Sequence, residues 1–125
     1  MNISQLNILL KTLEAESKYL LYSSYISDKS FIAYIELLSN LFDYKNIDNE
    51  IISSKILEIE KFKVSQNNNF ISKIGGLFRE RFGRITNNTF EGQYTSLSNK
   101  KKYVLGVLDK ISAIKYHLNT NYNID

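Results

Sequence analysis

All three arginines of the 125-residue chain, Arg79, Arg81 and Arg84, fall within six residues, while the thirteen lysines lie elsewhere. Arginine's planar fork of five donors suits phosphates and carboxylates held through two bonds at once. With Lys73 nearby, the stretch from Gly76 to Arg84 is a candidate surface for an anion or an acidic partner. Arg81 shares a helical arc with Phe70, Ile74 and Leu77, so the alternatives are a stem that snorkels from the core edge or a salt bridge to an acid of the N-terminal half. A second basic group, Lys100, Lys101 and Lys102, opens a helical segment, where cations oppose the positive end of the helix dipole. Phosphate at a helix N-terminus is one explanation of that placement; a solvated helix end is the other. A third group, Tyr19, Tyr22 and Tyr25, offers aromatic area with polar tips, as interfaces favour, against core packing as the alternative.

Other chemistry lacks its groups. There is no cysteine, which removes disulfides, thiolate metal sites and cysteine nucleophiles. The only histidine, His117, has no serine–acid pattern around it and no carboxylates spaced to share a zinc ion. Neither common glycine-rich phosphate loop occurs. Glu14 and Glu16, like Glu58 and Glu60, stand two apart and point in different directions on a helix, which reads as solvated surface. No catalytic, cofactor-binding or metal-binding residue is assigned, and no small-molecule substrate is evident.

Charge divides the chain. Residues 1–60 hold five lysines and nine acids, and residues 61–125 hold eleven basic and four acidic residues. Such asymmetry marks either an anionic partner for the basic half or attraction between the halves within the fold.

Positioning these groups falls to helices, read from apolar spacing. The first is expected from Ile3 to Ile26, with Asn2 and Gln5 as a weak capping box. Leu6, Leu10, Leu13, Leu20 and Leu21 form one face, and Ile8, Ala15, Tyr19, Tyr22 and Ile26 a second. The second helix follows Asp28 as N-cap and runs to Tyr44, with Phe31, Ile35, Leu38 and Phe42 as its stripe and Tyr34 and Leu41 beside it. The third covers Asn49 to Val64 through Ile52, Ile56 and Ile59, before the polar run 65–69. A fourth, Phe70 to Thr86, carries Gly75, Gly76 and Gly83. Residues 87–97 read as a loop or a hairpin strand containing Phe90, Gly92 and Tyr94. The fifth runs from Ser98 to Leu118 through Val104, Leu108, Ile111 and Leu118, and the polar tail from Asn119 is expected to fray.

With 43% apolar residues the chain can bury a core. Its length fits one domain, and no apolar run approaches a membrane span. The expectation is a single all-α domain, an up-and-down bundle of four or five helices, cytoplasmic and without a membrane. The abundance of Asn, Ile, Lys, Ser and Tyr has the look of AT-rich coding, which is common on mobile elements. Function divides between a non-enzymatic protein-binding module, of inhibitor, immunity or antitoxin type and with a protein partner or a second copy, and a nucleic-acid-associated protein using the basic C-terminal half.

Overall fold

The computed structural model describes residues 3–61, 64–66, 90–92 and 97–122. The fold is all-α with bundle-like packing. Four α-helices are described: α1 (Ile3–Tyr22), α2 (Asp28–Ser39), α3 (Glu50–Glu60) and α4 (Leu97–Tyr122), with a 3-10 helix at Asn40–Tyr44 after α2. The expected helix from Phe70 to Thr86 lies outside the described residues, as do Asn2, Lys73, Arg79, Arg81, Arg84 and Tyr94.

Serine and asparagine side chains set several of the helix ends. α1 stops at Tyr22 rather than Ile26. There the Ser23 hydroxyl donates to the Tyr19 carbonyl at 2.7 Å and the Ser23 amide to the Leu20 carbonyl at 3.2 Å, closing the turn as serine does when it offers the backbone another partner. The N-cap of α2 is Ser27, one residue earlier than expected. Ser27 is extended and its Oγ accepts from the Ser30 amide at 3.0 Å, which leaves Asp28 in the first turn, where an acid favours the dipole. The helix also tightens sooner than expected. At Asn40 the amide is shared between the Leu37 and Leu38 carbonyls, and the 3-10 helix then carries Leu41 and Phe42 into the core.

Asn49 starts α3: its backbone is extended and its Oδ1 accepts from the Ile51 and Ile52 amides, each at 3.1 Å. The helix ends at Glu60, short of Val64. Val64–Gln66 (β1) instead pairs in parallel with Phe90–Gly92 (β2), Val64 opposite Phe90. This corrects both the longer third helix and the hairpin reading of residues 87–97, because parallel partners need a long crossover rather than a tight turn. At the other end of the chain, α4 continues through residues 119–122, which were expected to fray. Thr120 and Asn121 bond back to the Tyr116 and His117 carbonyls at 2.9 and 3.0 Å, and Tyr122 is tied to Asn49.

The core follows the helical period. On α1, Leu6, Leu10, Leu13 and Leu20 are buried; on α2, Phe31, Tyr34, Ile35 and Leu38; on α3, Ile52, Ile56 and Ile59. These faces meet Tyr103, Val104, Val107, Ile111, Ile114 and Leu118 of α4 in one cluster. α4 packs against both α1 and α3, so the longest helix is the spine onto which the N-terminal half folds. Phe31 sets the geometry at one end, with its ring 5.8 Å from Tyr103 edge-on and 6.4 Å from Tyr34, an arrangement that the ring quadrupole favours. A buried pair of hydroxyls, Ser17 with Tyr34 at 2.7 Å, satisfies two polar groups together. Burial outweighs that bond and raises the Tyr34 pKa above the usual phenol value.

Candidate functional site

Of the basic residues expected to meet an anion, Lys100, Lys101 and Lys102 are described, and they face different ways. Lys100 is only 4% exposed. Its Nζ donates to the Ile26 carbonyl and to Asp28 Oδ1, both at 2.8 Å, and lies 5.9 Å from the centre of the Phe31 ring. Lys100 is thus turned inward instead of toward an external anion, its donors serving the Ile26 carbonyl and the first residue of α2. Its neighbours differ. Lys101 is half-buried and Lys102 exposed, as successive residues of a helix face different ways.

Two further lysines of α4 also turn inward. Lys115 donates to Glu14 of α1 at 2.7 Å and Lys110 to Glu58 of α3 at 3.2 Å. The hydrogen bond from Lys115 holds the Glu14 carboxyl below its ordinary pKa, and the one from Lys110 does the same for Glu58, with Lys55 adding to it. Glu60 lies 3.8 Å from Lys45. Three of the four glutamates read as solvated surface are therefore paired, and only Glu16 is simply exposed. Three lysines of the basic half thus bind acids from α1, α2 and α3, so the charge asymmetry is in part used between the halves.

His117 ties the end of α4 to the start of α3. Its Nε2 lies 3.1 Å from Asn49 Nδ2 and its Nδ1 3.0 Å from Asn121 Nδ2. Asn49 also donates to the Tyr122 hydroxyl at 3.1 Å. One asparagine therefore caps α3 and fastens it to the last turn of α4. The adjoining open cleft, about 390 Å³, is lined by Ile3, Asn46, Ile47, Asp48 and Tyr122.

The tyrosine group presents the clearest surface. Tyr19, Tyr22 and Tyr25 are 69%, 88% and 71% exposed, and Ile8 on the same side of α1 is 64% exposed. Ala15 and Thr12 are exposed between them. Among the described residues, nothing packs over the second apolar face of α1, and its tyrosines stand exposed. Ile26 departs from that face: it lies beyond the helix and is buried. Thr12 was not foreseen as part of the stripe, because a lone threonine gives no apolar signal. Its hydroxyl is turned back onto the Ile8 carbonyl at 3.0 Å, so it presents no unmet donor to a neighbour.

No protein-family model matches the chain, and no match is found among curated proteins or solved structures.

Proposed function

We propose that this chain is a non-enzymatic protein-binding module, of inhibitor, immunity or antitoxin type, that docks through the outer face of α1. The observation that carries the reading is the exposure of Ile8, Tyr19 and Tyr22 along one side of α1, with Tyr25 exposed just past its end, while the opposite side of the helix is packed. Exposed apolar residues scattered singly need no explanation, but a contiguous stripe on a rigid element does. Tyrosine adds to it, since it buries large area at small cost in side-chain freedom and keeps its hydroxyl at the rim. The pairing of Lys100, Lys110 and Lys115 with acids of the N-terminal half favours this reading over a nucleic-acid surface, because those cations already have partners.

A photo-crosslinking residue placed at Tyr22 in producing cells tests the reading, with the same residue at Ser54 on exposed α3 surface as control. A discrete protein adduct from position 22, absent from position 54, is expected. An absence of adducts at position 22, together with salt-sensitive retention on DNA or RNA, would overturn it in favour of the nucleic-acid alternative.

A further inference from the structure

We propose that the occupant of the outer α1 face is a second copy of this chain, with the two α1 helices parallel and in register. The inference rests on the reading of that face as a protein interface and adds the identity and orientation of what covers it.

The first observation is the spacing. Ile8, Thr12, Ala15, Tyr19 and Tyr22 follow one another at intervals of four, three, four and three residues, and all five are exposed. That is the seam along which two helices interdigitate in left-handed pairs. The same intervals relate Leu6, Leu10, Leu13, Ser17 and Leu20 on the opposite side, which are buried against the rest of the domain. α1 therefore carries two seams, and the described residues of its own domain fill one. The outer seam spans fifteen residues, about 21 Å between its end residues at 1.5 Å per residue. Ala15 at its centre lets two backbones approach closely.

The second observation is the charge beside the seam, which selects both partner and direction. Lys11 and Lys18 flank it on one side and Glu16 on the other, all three exposed. In a parallel pair each flanking residue meets the residue five positions later on the opposite edge of the other helix. Lys11 then faces the partner's Glu16, and the two-fold axis makes that contact twice. In an antiparallel pair equivalent edges meet, so lysine faces lysine and glutamate faces glutamate. Self-pairing is thus complementary in one direction only. Lys11 and Glu16 are five apart and cannot meet within one helix, so their complementarity is expressed only between chains.

The pairing is tested on the full chain. Sedimentation across micromolar to millimolar concentration is expected to show a reversible shift toward twice the 14.5 kDa chain mass. Y19S/Y22S should remain helical by circular dichroism and abolish that shift. K11E should weaken dimerisation about tenfold, because each copy then sets glutamate against glutamate where the pair was attractive, and K11E/E16K should recover it.

Direction is read from disulfides, the natural chain having no cysteine. Y22C alone should oxidise readily to a linked dimer. In an antiparallel pair centred on Ala15 the two copies of residue 22 would stand about 21 Å apart along the axis, beyond disulfide reach, and only mixed I8C and Y22C chains would link. That mixed result would overturn the parallel arrangement. A strict monomer at millimolar concentration, or a dimer untouched by Y19S/Y22S, would overturn self-pairing altogether. The broader interface reading falls separately, through the absence of any adduct at position 22. An adduct there of a mass other than twice the chain would keep the interface and replace its occupant.

Discussion

Removing Asp28 should cost more than removing the lysine it holds. The Lys100 ammonium is buried with the Ile26 carbonyl and Asp28 Oδ1 as its oxygen partners at 2.8 Å, whereas the Asp28 side chain keeps about a quarter of its surface, 28%, in water. In Asp28→Ala the ammonium stays in the core with a neutral carbonyl and the Phe31 ring. Breaking a fully buried pair from one side costs about 3–5 kcal/mol. The retained carbonyl and Asp28's partial exposure bring the expectation down to about 2–3 kcal/mol, and the loss of an acid from the first turn of α2 accounts for up to about 1 kcal/mol of that. Lys100→Met instead removes the charge, keeps the stem's volume and leaves a carboxylate that water can reach. It should cost about 1 kcal/mol or less, since apolar replacements of buried ions are often neutral. The double variant should be more stable than Asp28→Ala alone, giving a coupling of at least about 1 kcal/mol between two groups 72 residues apart in sequence. Urea unfolding of the four proteins, followed by far-ultraviolet circular dichroism, measures each step. Equal costs for the two single variants, or additive ones, would refute the claim that Asp28 compensates a cation in low dielectric.

The Leu38→Ala variant, in the middle of a fully buried stripe on α2, should lose about 2–5 kcal/mol through transfer and cavity terms, measured by the same unfolding; a loss under about 1 kcal/mol would mean that this face does not pack. Asn49→Ala removes the cap of α3 along with its bonds to His117 and Tyr122, and should cost about 1–2 kcal/mol while raising amide exchange in the last turn of α4. Glu14 and Glu58 sit below their ordinary value of 4.5 in the folded chain. The unfolded chain therefore binds protons first as acid is added, so their contribution is complete above about pH 5 and is lost as pH falls through the folded values. Lys115→Ala and Lys110→Ala should each flatten that acid limb in a titration of urea midpoints against pH, and an unchanged limb would dissociate these pairs from stability.

Much of the helical framework is legible because burial repeats with the helical period. Leu6, Leu10 and Leu13, or Ile52, Ile56 and Ile59, read the same in sequence and in the folded core. Helix ends are less legible. Ser27 and Asp28 are both good caps, and only the extended backbone at Ser27 decides between them. The parallel pairing of Val64–Gln66 with Phe90–Gly92 leaves no local mark, since its partners lie far apart along the chain. Lys100 did leave one. With Val104, Val107, Ile111, Ile114 and Leu118 it continues a buried stripe at intervals of four and three, so a cation at that place should meet the core. Three consecutive lysines hide that signal when they are counted as a run; the rotation of α4, fixed by its valines and isoleucines, separates them.

The two faces of α1 show how far spacing carries and where residue type takes over. Both stripes have the same intervals, so periodicity alone predicts two buried faces. The inner one is mostly leucine, whose side chains have no polar atom to leave at a rim, and the domain buries it completely. The outer one mixes Ile8, Thr12 and Ala15 with Tyr19 and Tyr22, which tolerate water at the hydroxyl and apolar contact at the ring. A chain that must remain folded before it meets its partner needs that second composition, because a fully aliphatic outer stripe would collapse onto any apolar surface. In the proposed self-pairing, the lysines and glutamate beside the tyrosines would restrict which surface is accepted. On that proposal spacing marks α1 as a helix with two neighbours, and composition marks which of them would arrive after folding.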